Sequence, residues 1–215
     1  MSSLLLVRHA LAAPPEDLRL PGPDLPLLPE GRRQAERLAR RVASARPVAV
    51  WSSDARRAVE TAQAVAAVAA CQFTVDAALR EVDFGAWSGR TYAEVVAADP
   101  GAAAWFDHPG TGRPPGGESL AEAAGRVRAA LDRAVADTGG PVIVVGHAGS
   151  LRLAVADALG MRLAAFRRLH LDCAGVSRLD WLPDGPVVHA WNDTAHLETT
   201  GTFAEERDDA CRTTE

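Results

Sequence analysis

Leu4-Leu5-Leu6-Val7-Arg8-His9 is an unbroken apolar run that stops at a cation and an imidazole. A run without polar alternation suits a strand buried on both faces, the kind used by parallel sheets that helices cover on each side. Two more stretches repeat it. Pro47-Val48-Ala49-Val50-Trp51 opens into Ser52-Ser53-Asp54, and Val142-Ile143-Val144-Val145 ends at Gly146-His147. A shorter strand is expected near Phe73–Val75, and two closing strands at Gly175–Leu182 and Pro186–Trp191.

Amphipathic helices are expected between these strands. Pro29-Glu30 starts one that runs to about Ser44, with Ala35, Leu38, Ala39 and Val42 on one face and arginines on the other. Ser52-Ser53-Asp54 supplies N-cap chemistry for a helix over Ala55–Ala70, and a short helix is expected around Tyr92–Ala97. The capping box Ser119-Leu120-Ala121-Glu122 starts a long helix reaching about Asp137, and another helix is expected at Ser150–Leu159. Residues 11–29 and Leu79–Trp87 read as loop. Strands alternating with helices predict an α/β chain with a largely parallel, two-sided sheet.

The 215 residues favour one domain, and the 47% hydrophobic content suffices for a large core. Net charge is −5 and every cation is Arg, so no global basic field recruits nucleic acid. The arginine face at Arg32, Arg33, Arg37, Arg40 and Arg41, interrupted by Glu36, is read as a solvated helix face. Cys71, Cys173 and Cys211 form no CxxC pair and no disulfide framework. No run approaches the ~20 apolar residues of a membrane span, and the N-terminus lacks a basic signal-peptide region. A cytoplasmic protein without a membrane partner is the expectation.

In open parallel sheets ligands bind beyond the carboxyl ends of the strands. Neighbouring strands would bring Arg8-His9, Ser52-Ser53-Asp54-Ala55-Arg56-Arg57 and Gly146-His147 around one hollow. Two guanidinium forks suit a phosphate dianion, and a neutral imidazole is a competent nucleophile toward phosphorus. For the general acid, Glu81 is preferred, with Asp83 and Glu118 as other candidates. Glu118 is also read as a loop support, or as a group orienting an arginine. His108, His170, His189 and His196 have no ligand spacing and are read as structural.

With these stretches in order, and with Thr61-Ala62, Phe84-Gly85-Ala86-Trp87-Ser88-Gly89 and Gly116-Gly117-Glu118-Ser119, the chain resembles the histidine phosphatase superfamily over roughly residues 4–197. The resemblance implies a phosphoglycerate-mutase-like fold, a three-layer α/β/α sandwich with a mostly parallel central sheet, needing no metal and no cofactor. It implies His9 as nucleophile, with Arg8, Arg57, His147 and Ala148 holding the phosphoryl group. Glu81 protonates the leaving oxygen, then activates the water that cleaves phosphohistidine. Residues 1–198 are read as one domain with an insert at about 85–117, carrying Trp105, Phe106, His108 and Arg113, that forms either a lid or an ordinary surface loop with one packed aromatic pair; residues 199–215 are read as a polar tail.

The sequence departs from the family pattern at Ala10, Leu28 and Ala148, and in the loop Leu11-Ala12-Ala13-Pro14-Pro15. None of these removes a reactive group, but the first loop lines the mouth of the site, so specificity does not transfer. The motifs are most similar to the small phosphatase branch, which includes α-ribazole phosphatases and broad-specificity phosphatases. The expected substrate is a small phosphate monoester, α-ribazole 5′-phosphate first, then a sugar or nucleotide phosphate. A phosphoglycerate-type mutase and a non-catalytic phospho-ligand module are the other readings. Family habit also allows a homodimer.

Overall fold

The computed structural model of the protein describes residues 2–13, 19–22, 24–110 and 112–198. The expected tail at 199–215, Cys211, and Pro14-Pro15 of the first loop lie outside the described residues.

Six strands form one sheet: β1 (Ser2–Arg8), β2 (Ala49–Ser52), β3 (Gln72–Val75), β4 (Val142–Gly146), β5 (Val176–Trp181) and β6 (Val187–Asp193), in the spatial order β3-β2-β4-β1-β5-β6. The first four are parallel, and β5 and β6 join antiparallel at the β1 side. The helices are α1 (Pro29–Ala43), α2 (Arg56–Ala69), α3 (Tyr92–Ala98), α4 (Ala102–Asp107), α5 (Leu120–Ala136) and α6 (Ala148–Ala158). No helix among the described residues is long and apolar enough to cross a membrane.

The apolar runs are buried on both faces because successive side chains point to opposite sides of the sheet. Leu4, Leu6, Val142, Val144 and Trp51 pack with Val127, Leu131, Leu151 and Val155 of α5 and α6. Leu5, Val7, Ile143, Val145 and Val50 pack with Leu38, Val42, Ala58 and Val65 of α1 and α2. These two cores separate three layers, as expected. A third cluster packs Trp87, Val95 and Trp105 from the 85–117 segment against Leu120, Ala124 and Leu153 of α5 and α6. Within that segment Trp87 stacks on Phe106, and Trp105 meets Phe84, Trp87 and Phe106 edge-on.

Several boundaries correct the sequence reading. Helix α2 begins after Ala55 with no side-chain cap from its own N-cap residue. Of the stretch read as the cap, Ser53 Oγ accepts from Ala55 N (3.2 Å), whereas Asp54 is turned to Arg80 and Arg56 N finds its acceptor in the distant Asp24 (2.5 Å). Helix α6 begins at Ala148, two residues earlier than expected, because a carboxylate from a distant segment receives its first-turn N–H groups. Two 3₁₀ turns, Ala77–Leu79 and Gly85–Trp87, fall in and beside the stretch read as loop, and a third at Leu163–Arg168 was not anticipated. Helix α4 was also not anticipated. The capping box at Ser119 and Glu122 is formed as read.

Candidate active site

Register brings the reactive groups together. Arg8 lies opposite Gly146 and Ser52 opposite Val145, so the carboxyl ends of β1, β4 and β2 are level. The ladder continues one step further, with His9 N donating to Gly146 O (2.9 Å) and Ser53 N to Val145 O (3.1 Å). The chain then leaves β1 for α1 on one face of the sheet and leaves β4 for α6 on the other. Divergence of this kind opens a crevice at the strand ends.

His9 and His147 stand with ring centroids 5.1 Å apart, tilted by 60°. His9 is 9% exposed and His147 is fully buried. Arg57 bridges them: its Nε donates to His9 Nε2 (3.2 Å), and its Nη2 lies 3.2 Å from His147 Nδ1. A guanidinium has donors and no acceptor, so both ring nitrogens facing it carry lone pairs. The remaining proton of each neutral ring is then fixed. His9 Nδ1–H donates to Ala10 O (2.8 Å), and His147 Nε2–H donates to Ser53 Oγ (2.9 Å).

Electrostatics keep both rings neutral. Burial, then His147, Arg8 and Arg57, hold His9 well below the ordinary histidine range. Burial, then Arg57, Arg8 and Arg126, do the same to His147. Arg57 is itself lowered, mainly by burial, with Glu81 and Asp24 opposing. Arg8 Nη1 donates to Leu171 O (2.9 Å), and Ala174 N donates to Arg8 O (3.0 Å), so the loop before β5 supports the end of β1. That loop is pinned by Asn192, whose side chain pairs with Asp172 N and Oδ2 at 2.8 and 2.7 Å.

Glu81 sits at the amino end of α6. Its carboxylate accepts from Val82 N (2.9 Å), Gly149 N (3.0 Å) and Ser150 N (2.7 Å), satisfying donors that a helix start leaves free. The structure therefore brings His9, Arg57, His147 and Glu81 to the carboxyl ends of the sheet, with Arg8 on β1 and Ala148 opening α6 beside His147. Asp83 and Glu118 do not share this placement. Asp83 caps Gly85 N (2.8 Å), while Glu118 accepts from Asp83 N (2.9 Å) and pairs with Arg126. His170 and His189 pair with Asp172 and Asp180 at the surface.

Sequence reasoning missed Arg126. Its Nη1 donates to Ala78 O (2.8 Å) and Arg80 O (3.1 Å), and its Nη2 to Glu81 O (3.3 Å), so one guanidinium clamps the segment that carries Glu81. The available signal was spacing: Arg126 lies three residues after Ala123 and four before Ala130, both fully buried. Gly149, in the first turn of α6, is a second residue the sequence reading leaves out. A Cβ there would stand 2.6 Å from Glu81 Oε1. Thr61 Oγ1 ties the sites of His9 and Arg57 together, accepting from Ala10 N (3.0 Å) and donating to Arg57 O (2.7 Å). Among the described residues, no group of three His, Cys, Asp or Glu side chains gathers to hold a metal ion. What the arrangement offers is a neutral ring nitrogen facing a concentration of guanidinium donors, with a carboxylate alongside.

Comparison with known proteins gives the same family. The family model described as histidine phosphatase superfamily (branch 1) matches residues 4–194. The chain is 34% identical over 209 residues to a probable phosphoglycerate mutase, GpmB, of Proteus mirabilis, covering 92% of this chain and 95% of that protein. It is 30% identical to a mycobacterial glucosyl-3-phosphoglycerate phosphatase solved with VO3, with a TM-score of 0.79 over 89% of this chain and 99% of that one. YhfR of Bacillus stearothermophilus superposes with a TM-score of 0.85 at 26% identity, over 92% of this chain and all (100%) of that one.

Proposed function

The chain belongs to the histidine phosphatase superfamily, branch 1, and from that premise we propose that it is a metal-independent phosphomonoesterase working through phosphohistidine on His9. The observation that carries the reading is Arg57 bridging two neutral imidazoles whose lone pairs face it. His9 Nε2 attacks phosphorus while the bond to the leaving oxygen breaks. Charge spreads over three equatorial oxygens, where Arg8, Arg57 and His147 provide donors once the phosphoryl group has entered between the rings. The backbone at Ala148 lies at the amino end of α6, which favours anions. Glu81 must enter this step as the carboxylic acid; it hands its proton to the leaving oxygen and becomes the carboxylate. It then takes one from the water that attacks phosphorus and breaks the N–P bond.

The substrate is a small phosphorylated metabolite. Relatives named for phosphoglycerate and glucosyl-3-phosphoglycerate favour a phosphorylated glycerate as the class to test first. α-Ribazole 5′-phosphate, favoured by the motif resemblance, stands beside it in the same panel with sugar and nucleotide phosphates. The 34% identity to a probable mutase supports a second reading, in which phosphohistidine is returned to product rather than to water.

The test follows phosphate release from an aryl phosphate in EDTA, with His9→Ala as control. Turnover that survives EDTA and vanishes in the variant is the expected result. Release that needs added divalent metal, or that persists in His9→Ala, overturns the mechanism. Interconversion of phosphoglycerates without phosphate release would favour the mutase, and an intact pocket without turnover a binding module.

A further inference from the structure

Ser53 follows the last residue of β2 with its side chain fully buried, and it is absent from the mechanism above. Its Oγ lies 2.9 Å from His147 Nε2 and accepts from Ala55 N (3.2 Å). A serine hydroxyl has two acceptor positions, and these two donors fill both. The opposite nitrogen, His147 Nδ1, faces the guanidinium that also touches His9.

Resting on the phosphatase reading, we infer that Ser53 is a positioning residue that keeps the His147 proton on Nε2, so that the ring takes up its second proton on Nδ1, the atom turned toward the phosphoryl group. In the free protein Nδ1 must accept, because Arg57 only donates. With a phosphoryl group between the rings, the same atom faces oxygen acceptors and must donate. A monoester monoanion carries the proton needed for the change, since a phosphate's second dissociation lies near pH 6. On binding, the proton leaves the phosphate oxygen and forms the Nδ1–H bond; the ligand becomes a dianion and His147 an imidazolium. The Nε2–H bond to Ser53 stays intact.

The groups around His147 fit this exchange. Burial opposes a charge on the ring of the free protein, and Arg57 from α2, Arg8 from β1 and Arg126 from α5 add to it. Neutral His9 faces it at 5.1 Å, and Glu81 sits on the first turn of the helix His147 caps. An anion arriving in the pocket adds the negative charge that favours a proton on the ring. Without the hydroxyl, the buried Nε2–H has no acceptor, and Arg57 alone holds the ring's proton away from the site.

The test is ¹⁵N NMR of histidine-labelled protein with and without inorganic phosphate near pH 8, where the free ligand is mostly the dianion and the Nδ1 proton has to come from the buffer, paired with calorimetry in buffers of different ionisation enthalpy. In the free protein, His147 Nε2 should carry hydrogen and Nδ1 should not. Saturating phosphate should protonate Nδ1, with a matching proton uptake. Ser53→Ala should weaken the tautomer preference, leaving Arg57 alone to enforce it, reduce the proton uptake, and bind phosphate about tenfold more weakly, the scale of one buried hydrogen bond. Ser53→Thr, which restores the hydroxyl, should recover both. Phosphate bound with Nδ1 bare, or Ser53→Ala with an unchanged His147 spectrum, overturns this inference and leaves the phosphatase reading standing. Failure of phosphate to perturb either histidine overturns both.

Discussion

Replacing Gly149 with alanine separates stability from activity. The residue lies in the first turn of α6, where alanine improves helix propensity by about 1 kcal/mol over glycine. Yet the new methyl would stand 2.6 Å from Glu81 Oε1 and 3.1 Å from its Cδ. Glu81 would have to withdraw by roughly 1 Å to regain van der Waals separation. Its bonds to Gly149 N and Ser150 N would lengthen, and a general acid displaced that far loses on the order of 10²-fold in rate, about 2.7 kcal/mol of barrier. Alkyl phosphates, whose leaving oxygen needs a proton, should show the full loss. Aryl phosphates, with better leaving groups, should lose much less. Steady-state hydrolysis of both classes, with a thermal melt of each protein, reads the effect. The melting temperature should move by only a few degrees, because the propensity gain offsets part of the lost capping. Wild-type turnover of an alkyl phosphate by a folded Gly149→Ala protein would refute the assignment of Glu81.

Arg57→Ala should cut kcat by about 10²–10³-fold, the usual cost of one donor to a transition-state oxygen, measured on the same substrates. Arg126→Met breaks the pair with Glu118 and releases the carbonyls of Ala78, Arg80 and Glu81; urea unfolding should show a loss of about 1–3 kcal/mol, and the double variant with Glu118→Gln should cost less than the two single changes together. Stability should also fall on the acid side. His9 and His147 are held neutral when folded, so below the unfolded histidine value of about 6.5 only the unfolded chain gains protons; urea midpoints should be flat above that pH and drop below it, more steeply than in His9→Ala. Asn192→Ala leaves a non-glycine residue at φ 57° and frees the loop that supports Arg8; it should lower both stability and kcat/KM.

The sequence read most clearly where burial left a continuous mark. The runs of β1, β2 and β4 are apolar on both faces because both faces meet helices, and their polar endings located the site without any contact information. The capping box of α5 was equally plain, since its donor and acceptor are three residues apart. What could not be read was capping from a distance. Helices α2 and α6 take their terminal acceptors from Asp24 and Glu81, and no local rule connects those residues to Arg56 or Gly149. Helix α4 is a six-residue, alanine-rich turn without a side-chain cap, so it carries neither periodicity nor a start signal. Arg126 was lost among many arginines on helix surfaces, although its neighbours in spacing are core alanines.

The guanidinium of Arg57 lies across His9 Nε2 at hydrogen-bond distance, so on the proposed reading the reactive lone pair is sheathed in the empty protein. An uncharged electrophile gives Arg57 no reason to let go and should find the imidazole inert. An anion draws the guanidinium onto its own oxygens and bares the nitrogen in the same movement. Selectivity for phosphate esters would then begin at the attacking atom, before any wall of the pocket meets the rest of the molecule.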